Sequence, residues 1–213
     1  MKNTTNKVEY IGHYGCDNTH ALSAWTSTSR ELSKDKEARI PALLNMLASN
    51  GHHTPFEKSS LHFLITTDIA SHIHLLKHRI SSTNSESARY KELKEDKTYI
   101  PIDWSGDVLL EQWASELEKY TNTGNKLYHQ CLNELTPILG RSRAKESARY
   151  FKTYNSQITA DVMFNFRSFV HFLGLRNKPE AQLEIRVIAQ EMLNIVKSIE
   201  GNPFEYTLKA FNL

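Results

Sequence analysis

The chain has 213 residues, long enough for a substantial core, and 39% hydrophobic against 23% charged residues excludes global disorder. A net charge of +2 without a long Lys/Arg run excludes an electrostatically driven nucleic-acid binder, and no stretch of about 18 apolar residues is present to span a membrane. Cys16 and Cys131 are too few for a disulfide framework and lack zinc spacing, and the polar stretch from Met1 to Tyr10 has no signal-peptide core, so a soluble cytoplasmic protein of one domain over residues 1–213 is expected.

Pro41 to Leu47 is apolar and reads as helix, with Asn50-Gly51 able to end it in the left-handed cap conformation. Leu61-His62-Phe63-Leu64-Ile65-Thr66-Thr67 reads as a strand. Asp68 then suits an N-cap, and Ile69, Ile73 and Leu76 fall at helical spacing. Thr98 to Ile102 is strand-like but cut short by Pro101. From Val108, apolar positions at Leu109, Trp113, Leu117, Tyr120, Leu127, Cys131 and Leu135 predict one long helix, with Gly124 as a candidate break. A further helix carries Arg149. Ile158 to Phe164 predicts a strand, followed by a helix with Arg167 and His171. Ile185, Ile188, Ala189, Met192 and Val196 mark a last long helix, stopped at Gly201 and Pro203. Helices outnumber strands without strict alternation, which favours an α+β fold over a doubly wound one.

Residues 77–90 carry the most chemistry. Lys77-His78-Arg79 closes the helix after Asp68, a loop of small polar residues follows, and Ser87, Ala88, Arg89 and Tyr90 end it. Fixed cations and hydroxyl donors from one stretch of backbone suit a phosphate-bearing ligand. Three other segments stand out: Gly51-His52-His53-Thr54-Pro55-Phe56-Glu57, the Ala148-Arg149 pair, and Asn165-Phe166-Arg167-Ser168 leading through His171 to Leu175-Arg176 and Ala181-Gln182-Leu183-Glu184-Ile185. Arg167 and His171 are four apart and share a helical face, while Phe169, Phe172 and Leu173 of the same helix suit a core. His74 and His78 are also four apart, as zinc pairs are, with His52 as a conceivable third ligand. No glutamate follows the first histidine, and no metal site is assigned.

Together these four segments, in this order, resemble the flavin-dependent thymidylate synthase family. Lys77 stands where that family has arginine, the carboxylate of Glu86 comes one position later than usual, and His171 replaces a common asparagine. The resemblance implies a central, mostly antiparallel sheet flanked by helices and a homotetramer whose active sites are shared between subunits. It implies reductive methylation of deoxyuridine monophosphate (dUMP) to dTMP, with methylenetetrahydrofolate as carbon donor and NAD(P)H-reduced FAD as hydride source. For the nucleotide it implies His74, Lys77, Glu86, Ser87, Ala88 and Arg89 from the first segment, joined by Arg149 and Arg176. For FAD it implies Thr54, Lys77, His78, Arg79, Asn165, Arg167 and His171, with His52 near the folate. Arg176, a permanent cation at the pyrimidine edge, is the expected catalytic group. The alternatives are a relative acting on another pyrimidine nucleotide or adding a different one-carbon group, and a catalytically silent flavin- or nucleotide-binding protein.

Overall fold

A computed structural model describes residues 2–213. In chain order the first half holds β1 (Lys2–Asn3), β2 (Lys7–Tyr14), α1 (Asp17–Trp25), α2 (Lys34–Ser49), a 3-10 turn at Thr54–Lys58, β3 (Ser60–Asp68), α3 (Ile69–Leu76), β4 (Ser81–Ser85) and β5 (Lys97–Thr98). The second half holds α4 (Val108–Leu139), α5 (Arg141–Ala148), a 3-10 turn at Arg149–Phe151, β6 (Gln157–Asn165), α6 (Phe166–Arg176), α7 (Leu183–Lys197) and α8 (Glu205–Ala210). A four-stranded sheet has the order β2-β3-β6-β4, and β1 pairs with β5 in parallel. Thr66 meets Thr159 hydroxyl to hydroxyl at 3.0 Å and His62 meets Asp161, so climbing β3 descends β6 and the two are antiparallel. The architecture is α+β, as expected.

The chain forms two compact units. One comprises the chain up to Lys7, Ile65–Lys77 and Asn84–Ala160. Asp68 caps α3 as predicted, its Oδ1 accepting from the Ser71 amide at 2.8 Å. The apolar spacing of α3 is not its buried face: Ser71, His72 and Leu75 are buried, whereas Ile73 and Leu76 are exposed. In α4 the helix is continuous through Gly124, because nothing in a glycine forbids helix and its missing side chain is needed. A Cβ there would sit 2.5 Å from the carbonyl oxygen of Phe151. Tyr128 and Leu132 of α4 pack on Ala144 and Ala148 of α5. Val108, Leu109, Trp113 and Tyr120 stand exposed on the same helix.

The other unit comprises Val8–Leu64, His78–Thr83 and Asp161–Leu213. Its helical layer packs Ala21 and Trp25 of α1, Ile40, Leu44 and Leu47 of α2, Phe56, and Ala210 of α8 into one cluster. α2 begins at Lys34, about two turns before the apolar run, because Ser33 accepts from the Lys36 amide and Asp35 and Glu37 occupy its first turn. Leu61 and Phe63 of β3 and Val162 and Phe164 of β6 alternate inward. Phe63 and Phe164 meet Phe169, and Phe164 also meets Phe172, both from α6. Ile185, Ile188, Ala189, Met192 and Val196 of α7 are fully buried at helical spacing. Among the described residues no helix is long and apolar enough to cross a membrane.

Candidate functional site

In the second unit a groove of about 440 Å³ opens among Glu57, Ser59 and Ser60 before and at the start of β3, Arg79 to Ser82, and Met163 and Asn165 at the end of β6. The spacer after the basic triplet is therefore not a plain loop. Residues 81–85 are strand β4, and its first two serines line the groove. Asn165 caps α6, its Oδ1 accepting from the Ser168 amide at 2.8 Å, which turns its side-chain amide group into the available donor. Arg167, two residues further on in the first turn of α6, is ion-paired with Glu57. Arg79 and Asn165 are thus brought together, and Arg167 joins them through Glu57. His52, Thr54 and His171 are exposed and lie outside this lining.

His78 follows α3, which ends at Leu76 with Lys77 as C-cap, so His74 and His78 do not share a helical face. Its ring is buried, edge-on to Phe172 at 4.9 Å between centroids, 6.1 Å from the ring of His171, and accepts at Nε2 from Arg176 Nε at 3.0 Å. Arg176 is the last residue of α6 and stays half-exposed.

A further groove of about 660 Å³ in this unit shares Glu57, Ser59 and Ser60 with the first, and adds Tyr14, Thr19, Ser23, Thr26, Arg30 and Lys58. Beside Ser59 lies a buried polar row that local sequence gave no sign of. Asp17 Oδ1 accepts from the Thr207 hydroxyl at 2.6 Å, and that hydroxyl meets His20 Nδ1 at 2.8 Å. His20 Nε2 meets the Ser59 hydroxyl at 2.7 Å. Burial among Phe56, Phe166 and Phe204 drives the His20 pKa down to about 4, so the ring is neutral.

The first unit holds the remaining expected residues. Glu86 continues β4 along β6: its amide donates to the Thr159 carbonyl at 2.9 Å, and its Oε2 accepts from the Thr159 amide at 3.1 Å. Its other oxygen pairs with Lys91. The displaced carboxylate is therefore a sheet-edge anchor. Ser87 opens a turn, its carbonyl accepting from the amides of Tyr90 and Lys91, while Ala88 is half-buried. Arg89 Nε donates to Glu146 Oε1 at 2.8 Å, and Arg143 pairs with the other oxygen at 3.1 Å. These two guanidinium groups hold the Glu146 carboxyl below its ordinary pKa. Arg149 lies one turn beyond Glu146, as the C-cap of α5 and the first residue of a 3-10 turn rather than inside a helix. Glu146 thereby brings Arg89 to the end of the helix where Arg149 sits. His74 is half-buried on α3 and Lys77 is exposed at its cap. His72, which carried no expected role, is buried with Nε2 on the Ser85 hydroxyl at 2.7 Å, and burial lowers its pKa.

Residues 9–200 match the family model described as "Thymidylate synthase complementing protein". The chain belongs to the flavin-dependent thymidylate synthase family. A flavin-dependent thymidylate synthase from Clostridium tetani is 30% identical over 185 residues, spanning 83% of this chain and 74% of that one. One from Gluconobacter oxydans is 28% identical over 225 residues, spanning 97% and 71%. Among solved structures, the UMP/dUMP methylase PolB from Streptomyces cacaoi bound with 5-Br dUMP superposes with a TM-score of 0.84 at 24% identity, over 99% of this chain and 96% of that one. That likeness establishes the fold. The chain is an enzyme of this family, whose name makes a flavin its cofactor. Glu57 and Glu146, to which no role was attached, emerge as the carboxylates that pair with Arg167 and Arg89. The first could be read from its place in the Gly-His-His-Thr-Pro-Phe-Glu segment, whereas nothing local marks the second.

Proposed function

We propose that the protein methylates dUMP to dTMP, taking the carbon from methylenetetrahydrofolate and the hydride from FAD reduced by NAD(P)H, as a single-domain cytoplasmic homotetramer. The observation that supports this most is the groove lined by Arg79, Ser81, Ser82 and Asn165. It offers a permanent cation, the Ser82 hydroxyl and an amide donor, the kind of donor set a dinucleotide's diphosphate and ring edges require, while the Ser81 hydroxyl donates to the His78 carbonyl at 2.7 Å and keeps only acceptor capacity. The residues fit the cofactor on that chemistry. Arg79 and Asn165 would hold it, with Arg167 steadied by Glu57 and with Thr54, Lys77, His78 and His171 as further contacts. Bound flavin supplies the redox chemistry.

The chain's own residues do the rest. Arg89, kept extended by Glu146, and Arg149 neutralise the nucleotide phosphate, with Ser87, Ala88 and backbone amides beside them. His74, Lys77 and Glu86 complete the nucleotide set, and His52 faces the folate. A uracil carbon is a poor nucleophile, and a guanidinium at the ring edge stabilises the anion that enriches C5. Arg176 serves there, held by His78. In a homotetramer with shared sites, the residues of one site come from several subunits. The exposed apolar face of α4, with Val108, Leu109, Trp113 and Tyr120, supports such an assembly.

The test is thymidylate formed by purified protein supplied with dUMP, methylenetetrahydrofolate, FAD and NADPH or NADH, with light scattering for the tetramer. No product and no flavin band would overturn the reading. Uridine monophosphate in a parallel assay addresses the alternative in which the displaced Glu86 goes with a different pyrimidine nucleotide. Flavin binding without turnover would instead identify a silent relative.

A further inference from the structure

The hydrogen bonds around His20 have only one consistent direction. The Asp17 carboxylate accepts from the backbone amides of Tyr206 and Thr207 at 2.8 and 2.9 Å and from the Thr207 hydroxyl at 2.6 Å. An ionised carboxylate only accepts, and these three donors oppose the burial that raises its pKa. The single Thr207 hydroxyl proton is thereby committed to Asp17, so Thr207 Oγ1 accepts from His20 Nδ1–H. His20 Nε2 then carries the lone pair and accepts the Ser59 proton. Every step follows from the one before, because each hydroxyl owns one proton and a neutral imidazole owns one. Ser59 is left with its proton turned inward and its lone pairs as its remaining capacity.

Ser59 stands where the two grooves of this unit meet, lining both together with Glu57 and Ser60. The close packing that puts it there is built in. Gly15, at φ +87°, leads into α1, and a Cβ on it would lie 2.8 Å from Ser59 Cβ. Cations flank the junction on both sides, Arg79 in one groove and Arg30 and Lys58 in the other.

We infer that Asp17, Thr207 and His20 act as positioning residues that fix Ser59 as a hydrogen-bond acceptor at the junction of the two grooves, where it takes a hydrogen bond from a sugar-type hydroxyl of the bound dinucleotide. An acceptor-only oxygen repels phosphate oxygens, which only accept, and is satisfied by a hydroxyl, which donates. The diphosphate therefore lies toward the arginines and a polyol segment passes Ser59. For FAD that segment is the ribityl chain or a ribose. The inference rests on the flavin reading of this groove, and it adds a residue and a polarity to it.

The test compares FAD with lumiflavin, which keeps the ring system and lacks the polyol chain, by fluorescence titration of the full-length protein. Ser59→Ala is expected to weaken FAD about tenfold, the worth of one neutral hydrogen bond, and to leave lumiflavin unchanged. Thr207→Val keeps the side-chain shape, removes the hydroxyl that directs His20, and is expected to weaken FAD several-fold with lumiflavin again unchanged. Circular dichroism identifies a misfolded variant, in which case the other one decides. Equal loss for both ligands would show a purely structural role, and no loss for either would show that Ser59 does not reach the ligand. Each of these outcomes overturns the inference while leaving the flavin reading of the wild-type protein standing. Wild-type protein that binds no FAD would overturn both the inference and the reading beneath it.

Discussion

Arg176 donates from Nε to Nε2 of His78 across 3.0 Å, and the accepting imidazole nitrogen must be unprotonated to receive it. His78 is itself locked, buried edge-on against Phe172. The pair fixes the plane of a guanidinium at the end of α6 while its terminal amines remain to face a ligand. A flexible arginine spends binding energy on ordering its rotamers, and one held through Nε spends less.

If Arg176 acts on the pyrimidine anion, Arg176→Ala should cost about 2.7–4 kcal/mol of transition-state stabilisation, on the order of a hundredfold or more in turnover, with flavin still bound. Ser87 has no histidine among its hydrogen-bond partners to act as base, its hydroxyl accepting instead from the Arg89 amide at 3.3 Å. Ser87→Ala should therefore cost about 0.5–1.5 kcal/mol, roughly tenfold. Steady-state kinetics of both variants decide. An inactive Ser87→Ala beside a normal Arg176→Ala would move the chemistry to covalent catalysis at the serine.

Lys77, exposed at the cap of α3, presents a point charge where the family has a planar fork. If it faces phosphate, Lys77→Arg should keep or tighten ligand binding, because the fork adds a second donor direction. Calorimetric titration with dUMP and with FAD measures it. Binding abolished by Lys77→Arg while Lys77→Ala is harmless would show that the residue faces something other than phosphate.

The parts of the fold legible in the sequence are those whose burial follows a period. β3, β6, α6 and α7 have inward residues at the spacing of their own geometry, and the cap at Asp68 marks where a strand becomes a helix, whereas the matching cap at Asn165 reads from sequence only as a ligand contact. β4 was invisible because Ser81–Ser85 holds no apolar or aromatic residue. Its strand conformation comes from its neighbour β6, along which Glu86 continues the pairing at Thr159. β2, α1 and the short α8 also went unmarked: Lys7–Tyr14 has a largely exposed pattern, and α8 is held by Asp17 through bonds that span 189 and 190 residues of the chain. The same distance explains the site. Arg79 and Asn165 could be paired through their motifs, whereas the row Asp17, His20, Ser59 and Thr207 is assembled only by packing and has no spacing to read.

Gly124 tests packing against propensity. Replacing a mid-helix glycine with alanine ordinarily stabilises a helix by about 1 kcal/mol. Here the new Cβ would lie 2.5 Å from the Phe151 carbonyl oxygen, a backbone atom that cannot swing aside. Gly124→Ala should instead destabilise by about 1–3 kcal/mol, lowering the melting temperature by several degrees. Calorimetry of the two proteins checks the sign, and a more stable variant would refute the close approach of the 3-10 turn to α4.

His20 makes folding depend on acidity in a definite direction. Its folded pKa of about 4 lies below the ordinary 6.5, because burial penalises the charged ring. Between these values the unfolded chain binds the proton and the folded chain does not, so stability is full above about pH 6.5 and falls as pH drops towards 4. One proton gives a slope of at most about 1.4 kcal/mol per pH unit, so the loss by pH 4 is about 3 kcal/mol. Asp17, whose carboxyl is raised by burial, works in the opposite sense, and it is present in wild type and variant alike. Urea unfolding of wild type and His20→Gln between pH 7.5 and 4.5 isolates the histidine. The variant should be less stable at pH 7.5, having lost bonds to Ser59 and Thr207, and the gap between the two proteins should narrow steadily below pH 6.5. A gap that stays constant with pH would mean that His20 keeps an ordinary pKa and is not sealed within the aromatic core.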